Sequence, residues 1–587
     1  MITSRLTAER QAGRRRATAW VLCLVLCASY AALLWAMHDG FWYATDDGFY
    51  AHIAERVQAG DVLHRDVQDI HPGYIHGLHV LAFHIFGTDM VSLRYPLVLA
   101  ALVQSVFTFS LLARRSLSLA TAGTVATAGV GLVQFFSPNP NWYCLSLTIV
   151  VSWWLVATPR ESRARLVVAG GIVGLMTMLR QLSGAWAAMG LLTVALLEAE
   201  DRLAPSSARL GRALSALMLT GLIGYVALTS AYRPGGLLLI ASWPAALLLR
   251  NALSLQTPDR AARRLILHVL AGAGPVMAPM LAYHLWFGST TRWLTDIVAR
   301  AAGETQLPFF GGVGWYALTP LVSAQLVMAP AGIGDAANGS YWLALSLGSA
   351  ANGAVVWHDL RRRTDATAIA PGIIAMFFAM VSLLLEGPLY LYYSAGATIA
   401  ALLWRLAAVG TVAPQVAGGA LALLVGVVGF VSHAGQPLTR PPFDILHGRR
   451  VTPPPLGSLA GLRASFSLPK EDVREYDRLV AIIRTQVAPG ETLLVLPNDA
   501  QLYFLAERTN PVRFYNSALG MQSPGEVEDV LRLIRTRPPA LVIFRPGDKY
   551  QTPALDAVMR VVRRQYRLAG IAEGREMYLP ASRPPLS

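Results

Sequence analysis

Apolar residues run along this chain in long unbroken stretches separated by short polar connections, the pattern of a polypeptide that crosses a bilayer many times. The stretches lie near residues 17–37, 94–113, 117–136, 142–158, 166–181, 184–199, 212–231, 236–251, 265–287, 338–357, 369–386, 394–411 and 416–434. They predict about thirteen spans of roughly 20 residues each. Residues 311–333 leave the count open, since they read equally as a span, a re-entrant piece or a surface helix. The first stretch follows Arg14-Arg15-Arg16 as a signal peptide would. It is long and lacks a small-residue cleavage site, so it predicts a retained helix.

Arginine clusters fix the orientation: Arg5 to Arg16, Arg114-Arg115, Arg160 to Arg165, Arg202 to Arg212, Arg260 to Arg264 and Arg361-Arg362-Arg363 mark cytoplasmic connections. With residues 1–16 inside, an odd number of spans places everything after residue 434 outside, on the face of the loop that follows the first span. The expected organisation is a cytoplasmic N-terminus (1–16), a transmembrane domain (17–434) whose residues 38–93 form a long first periplasmic loop, a linker rich in Pro, Gly and Ser (435–470), and a periplasmic α/β domain (471–587). In that last part, helical periodicity over Glu475 to Val487, Ala500 to Glu507, Val527 to Thr536 and Leu555 to Tyr566 alternates with apolar strands at Thr492 to Pro497, Val512 to Tyr515, Ala540 to Phe544 and Glu576 to Leu579. It holds no Gly-rich phosphate loop and reads as a docking or lid module. The fold class is therefore a mainly α membrane protein with a small C-terminal α/β domain, in the bacterial inner membrane.

Composition agrees. Hydrophobic residues make up 54% of the 587-residue chain and charged residues 14%, with a mean hydropathy of +0.44. The net charge of +14 comes from arginines in short connections, so it reports topology and no nucleic-acid partner. Lysine occurs only at Lys470 and Lys549, so a cation that grips an anion in the membrane part is arginine or histidine. Cys23, Cys27 and Cys144 lie in or beside apolar stretches without metal-type spacing and read as packing residues.

Polar chemistry concentrates in the loop between His38 and Tyr95. It carries Asp46, Asp47, Asp61, Asp66 and Asp69 and seven of the 12 histidines: His38, His52, His64, His71, His76, His79 and His84. Ile75 to Phe86 is apolar enough to lie in the interface as a helix. A carboxylate pair such as Asp46-Asp47 beside the hydrocarbon boundary is costly and marks a functional site. His76 and His79 share a helix face, and the aspartate pair completes one metal reading of this loop. Hydrogen-bonded structural histidines are the other reading, and no His-Glu-X-X-His pattern occurs.

The ordered set Asp46-Asp47-Gly48-Phe49-Tyr50, Gly60, His64-Arg65-Asp66, His71-Pro72-Gly73, Ile85-Phe86-Gly87 and Arg94 resembles the first outer loop of the polytopic, lipid-phosphosugar-dependent glycosyltransferases of the GT-C superfamily, such as the protein O-mannosyltransferases and the aminoarabinose transferases of lipid A. The likeness covers about fifty residues step by step; Arg180-Gln181 at an outer helix end and the trailing soluble domain follow it more loosely. Two positions depart from it. The acidic pair is Asp-Asp where relatives often carry Asp-Glu, and the turn has Gly73 where they carry a second proline. An Arg-plus-His signature that some relatives show is absent near Glu386 to Tyr393.

The resemblance implies a GT-C-like bundle that transfers a sugar from a polyprenyl-phosphate carrier to a lipid, polysaccharide or protein acceptor at the periplasmic face, with inversion at the anomeric carbon. It assigns Asp46 as general base, with Asp47 as understudy or orienting partner, and His71 to the substrate-binding turn. Arg94 and Arg180 are candidates for the leaving phosphate, or else interface anchors. Asp66 binds acceptor hydroxyls or structures its loop. Tyr50 and Trp142 stack on sugar rings, or Trp142 belongs to the aromatic belt. No cofactor is fixed by these residues, and a divalent cation stays open because some relatives use one at an outer-loop acid. The competing readings are a transporter or flippase for a lipid-linked glycan, which needs repeats and broken helices that the sequence does not display, and an inactive relative that assembles envelope machinery.

Overall fold

A computed structural model describes residues 2–201, 207–229, 233–304, 314–436, 444, 446–448 and 455–581. Helices occupy all the predicted apolar stretches: α1 (Ile2–Met37), α4 (Tyr95–Ala113), α5 (Leu117–Gly129), α6 (Pro140–Ala157), α7 (Arg163–Leu179), α8 (Gln181–Glu200) and α9 (Arg209–Thr229), then Pro234–Ser254, Asp259–Trp286, Ile333–Arg361, Ala366–Leu383, Pro388–Leu406 and Val412–His433. Among the described residues, 9 helices are long and apolar enough to cross a membrane. The others, α6, α7, Ile333–Arg361 and Pro388–Leu406, are shorter or more polar. Residues 311–313 of the open stretch lie outside the described residues; beyond them Trp315–Met328 is a 14-residue helix, at about 21 Å too short to span.

The loop after α1 holds two helices, α2 (Ala44–Gln58) and α3 (Tyr74–Phe86). The C-terminal domain has a four-stranded sheet in the order β3-β4-β6-β5, where β3 is Leu493–Leu496, β4 Leu541–Phe544, β5 Tyr566–Ala572 and β6 Arg575–Pro580. Strands β3 and β4 pair in parallel and are buried at every position, as their continuous apolar runs require; β6 is antiparallel to both β4 and β5. The helices Lys470–Gln486, Pro524–Thr536 and Pro553–Gln565 cover it.

Two details differ from the sequence pattern. Residues 437–443, 445 and 449–454 of the expected linker lie outside the described residues, but its end forms an antiparallel pair, β1 (Leu456–Leu459) and β2 (Ala464–Pro469), pinned to the first loop by Ser467 N–H on the Asp39 carbonyl (2.7 Å) and Met90 N–H on the Arg463 carbonyl (2.9 Å). The strand expected at Val512 to Tyr515 is irregular. Its carbonyls are taken by the first loop, Arg513 accepting from Gln68 N–H (2.8 Å) and Val512 from Arg56 (2.8 Å), so a sheet ladder has nothing left to pair with there.

Without a hydrophobic force between helices in lipid, close approach depends on small residues. Helix α7 and Asp259–Trp286 cross at Gly170 and Gly272, where an added Cβ on Gly272 would overlap the Val167 carbonyl and lie 2.7 Å from the Gly171 nitrogen. A Cβ on Gly274, two residues on, meets nothing within 4 Å. Gly272→Leu should therefore lower the melting temperature of the detergent-solubilised protein, by about 1–3 kcal/mol of overpacking, whereas Gly274→Leu should leave it unchanged; equal melting curves for the two variants would reject this crossing.

Candidate active site

Helix α2 starts at the acidic pair. Tyr43 is its N-cap, and Asp46 and Asp47 lie in the first turn, where the unpaired N–H groups and the helix dipole favour negative charge. Successive helical residues point about 100° apart, and the two carboxylates meet different surroundings. Asp47 turns inward. Its Oδ2 accepts the Tyr43 N–H at 2.9 Å and the Arg94 Nη2 at 2.9 Å, and both side chains are essentially fully buried. Burial pushes the Asp47 carboxyl up, and the Arg94 guanidinium opposes that push.

Asp46 is only partly buried and has neither a hydrogen bond nor an ion pair among the described residues. Burial first and the Asp47 charge second push its carboxyl up to about 6, while the charge of Lys549 pulls it back down. One turn along the same face stands Tyr50, 1% exposed, within electrostatic range of Asp46.

Arg180 sits at the corner between α7 and α8, in extended backbone (φ −154°, ψ 112°). The next residue fixes that corner to the first loop: Gln181 Nε2 donates to the carbonyls of Ile70 and Ile297, each at 2.8 Å. The Arg180 side chain is buried, at 7% exposure, yet among the described residues it has no carboxylate and no hydrogen-bond acceptor; its guanidinium lies 5.9 Å from the Tyr390 ring centroid. Tyr50 and Tyr393 lie within electrostatic range of both Asp46 and Arg180. A carboxylate and a guanidinium, both without an ion pair among the described residues, thus lie within electrostatic range of the same two tyrosines. An apolar groove of about 730 Å³ is lined by Tyr74, Leu78, Leu99, Tyr143, Leu175 and Leu179, the last of these next to Arg180 in the chain; Asp46 and Arg180 themselves do not line it. A second apolar cleft of about 750 Å³, lined by Leu343, Leu347, Leu402 and Leu421, includes none of the residues around Asp46 and Arg180.

The remaining residues singled out in the sequence are placed as follows. Arg94 is not in this space: it is committed to Asp47 and to the His38 carbonyl (2.7 Å), with Phe466 stacked at 4.3 Å. Asp66 closes its own loop, accepting Val62 N–H (2.9 Å) and Arg65 Nη2 (2.8 Å). Trp142 is buried edge-on against Tyr393 (4.7 Å) and donates its indole N–H to the Phe135 carbonyl at 2.9 Å. His71 meets Asp69 at 2.9 Å, beneath the Tyr50 ring.

Sequence reasoning did not find Tyr390, Tyr393, Tyr515 or Lys549 as members of the site. Lys549 carried a signal in its rarity, being one of two lysines. It arrives from the C-terminal domain, which sits directly on α2. Phe49 stacks on Tyr515 (4.7 Å, 8° between planes), His52 stacks on Tyr503 (4.8 Å), and Gly48 lies against the start of helix Gln501–Ala506. Arg513 and Arg300 extend the seat, both bonded to Asp296 (2.6 and 2.7 Å), with Arg300 also paired to Glu526.

Two comparisons with known proteins, by family model and by curated sequence, yield no match. Among solved structures, the chain is similar to ArnT from Cupriavidus metallidurans bound to undecaprenyl phosphate, at 14% identity and a TM-score of 0.38 over 96% of this chain and 99% of that one. It is also similar to the archaeal oligosaccharyltransferase AglB from Archaeoglobus fulgidus in complex with an inhibitory peptide and a dolichol-phosphate, at 13% identity and a TM-score of 0.43 over 89% and 69% of the two chains. The Archaeoglobus fulgidus oligosaccharyltransferase in complex with Zn and sulfate matches at 13% identity and a TM-score of 0.43, over 89% and 68%. At these identities and TM-scores the likeness carries no argument about what this chain does.

A Cβ on Gly48 would lie 2.7 Å from the Gln501 Cα, a backbone contact that no rotamer change relieves. Gly48→Val should loosen the C-terminal domain from α2, seen as faster proteolytic release of the C-terminal fragment, while Gly77→Ala, with open space around it, should match wild type.

Proposed function

We propose that this chain is an integral membrane glycosyltransferase that moves one sugar from a polyprenyl-phosphate carrier to an acceptor hydroxyl at the outer face of the membrane. The observation that carries the reading is the pairing of Asp46 with Arg180. Neither group has an ion pair among the described residues, both lie within electrostatic range of the same two tyrosines, and an apolar groove large enough for the proximal part of a lipid tail reaches Leu179, next to Arg180 in the chain.

The chemistry follows from those groups. Asp46, with its carboxyl near 6, is ionised at neutral pH yet basic enough to take a proton from the acceptor hydroxyl. The acceptor oxygen then bonds to the anomeric carbon as the bond from that carbon to the phosphate oxygen breaks. The carrier leaves as a phosphomonoester whose growing charge Arg180 meets with a planar, two-pronged donor. One displacement from the face opposite the phosphate inverts the anomeric centre. Asp47 and Arg94 hold the first turn of α2, so that Asp46 keeps its direction toward the acceptor. Tyr50 and Tyr393 wall the sugar subsite, and the tail of the carrier lies in the cavity lined by Leu78, Leu99 and Leu175. The acceptor is a lipid, a glycan or a protein, approaching from the side of the C-terminal domain, and the N-terminus is cytoplasmic.

Two predictions test this. With radiolabelled polyprenyl-phosphate sugars and envelope extract, Asp46→Asn should lose transfer by at least about a hundredfold, whereas Arg180→Gln should depress turnover and also weaken binding of polyprenyl phosphate itself; transfer retained by Asp46→Asn would reject the assignment. The second concerns pH. A base that titrates near 6 makes transfer fall as pH drops below about 6 and level off above 7. Because the folded carboxyl titrates above its ordinary value of 3.8, folding stability is lost as pH rises from about 4 through 6. Asp46→Asn should therefore melt higher than wild type at pH 8 and level with it at pH 4, a signature of a strained functional acid that a merely structural aspartate would not give.

A further inference from the structure

Beneath Tyr50, the first loop builds a second polar cluster that the transfer chemistry above does not use. His71 Nδ1 lies 2.9 Å and His76 Nε2 2.5 Å from the same oxygen of Asp69, Oδ2. All three side chains are buried, and their ligand atoms lie within 4.8 Å of one another, the single such group among the described residues. The carboxylate is used lopsidedly: Oδ2 takes both imidazoles, whereas Oδ1 and the far nitrogen of His76, Nδ1, are buried with no hydrogen-bond partner among the described residues. Bare ring nitrogens recur on other buried histidines of this loop, His52, His64 and His79, so the mark of this cluster is the convergence of three donor side chains on one buried point with a carboxylate oxygen left over.

The backbone is shaped to make this convergence. Asp69 and His71 lie two apart before the turn, and His76 lies in the first turn of α3 after it. The turn is made at Gly73, with φ of +133°, a conformation closed to proline, whose ring fixes φ near −65°. A Cβ there would also press on Met280 and Leu63 at 2.7 and 2.9 Å. Gly73 is where this loop departs from the double-proline turn, and the departure folds His76 back onto Asp69. The helix-spaced pair His76 and His79 is thus not the ligating pair; His79 faces the Tyr50 ring edge-on at 5.2 Å.

We propose that Asp69, His71 and His76 form a site for one divalent transition metal of the zinc class. Two imidazoles and one carboxylate are the donors such ions select, whereas magnesium and calcium favour oxygen alone. The distances fit a small rearrangement, since ligands about 2.0–2.1 Å from zinc stand farther apart than hydrogen-bonded atoms do. Three protein ligands leave a position for an outside oxygen. The ring of Tyr50 separates the cluster from Asp46, and Gln181 ties Ile70, between Asp69 and His71, to the Arg180 corner. Resting on the glycosyl-transfer reading, that outside oxygen belongs to the carrier phosphate.

The full-length protein in detergent, stripped with chelator, would be titrated with Zn(II) by calorimetry and with Co(II) by visible absorption, without any sugar donor. One equivalent should bind with a Co(II) spectrum of low coordination number. Asp69→Asn, His71→Ala and His76→Ala should each weaken binding by at least about tenfold, while His84→Ala on the exposed side of α3 and Asp46→Asn should bind as wild type. Sub-stoichiometric binding by folded wild type, or unchanged binding by a folded Asp69→Ala/His71→Ala/His76→Ala variant, would overturn the site. Undecaprenyl phosphate added to the Co(II) protein should shift the spectrum, and inorganic phosphate should shift it less; no shift with either would overturn the phosphate assignment. Metal binding is read without turnover, so its failure is separable from failure of the transferase reading, which Asp46→Asn tests.

Discussion

The guanidinium of Arg94 is the interaction on which the outer half of this protein depends. It lies at the start of α4, donates to Asp47 in α2 and to the carbonyl of His38 just beyond α1, and carries Phe136 and Phe466 at 5.5 and 4.3 Å on its faces. One fully buried charge thereby joins the ends of two membrane helices, the helix that bears the acidic pair and strand β2 at the end of the linker. Removing either partner of such a pair strands the other charge out of water, at about 3–5 kcal/mol, so the pair specifies geometry more than it adds stability. Its consequence for the site is indirect. Because Asp47 is neutralised by Arg94, its neighbour can remain unpaired and partly buried, with a carboxyl raised by burial but still ionisable near neutrality.

The C-terminal domain belongs to the same construction. Its seat on α2 combines stacked aromatic pairs, a glycine pressed to backbone and a buried ion network through Asp296, and each of these is shape-specific. A detachable docking module would meet the bundle through a wetter, more polar surface. Here Val512 and Arg513 give their carbonyls to the first loop, and the loop after β4 brings a lysine within electrostatic range of Asp46. The domain is therefore packed as part of the first-loop construction and not as an appendage.

How much of this was legible in the sequence depends on how local each cause is. The helices were legible because runs of about 20 apolar residues leave the backbone no other way to satisfy itself in lipid. Asp46, Tyr50 and Arg180 stood out as candidates because polar residues at the edges of such runs are rare, and because one turn of helix separates Asp46 from Tyr50. Partnerships across the sequence were not. Nothing in the sequence near Arg94 says that it points at Asp47 rather than at a ligand, and nothing near Val512 says that its apolar run will spend its carbonyls on Arg56. The helical spacing of His76 and His79 was a correct local fact, but the structure brings His76 to Asp69 and His71 and leaves His79 against the Tyr50 ring, with the left-handed turn at Gly73 between His71 and His76.

That turn also bears on the difference between the two histidine-bearing ends of the loop. His52 and His64 face the C-terminal domain and Asp296, where they stack or pair with protein groups already in place. His71 and His76 instead converge on one oxygen and leave its twin bare. The same residue type, concentrated in one loop, is thus divided by its partners: bare ring nitrogens occur at His52 and His64 as well as at His76, so what distinguishes His71 and His76 is that two imidazoles converge on one buried carboxylate oxygen.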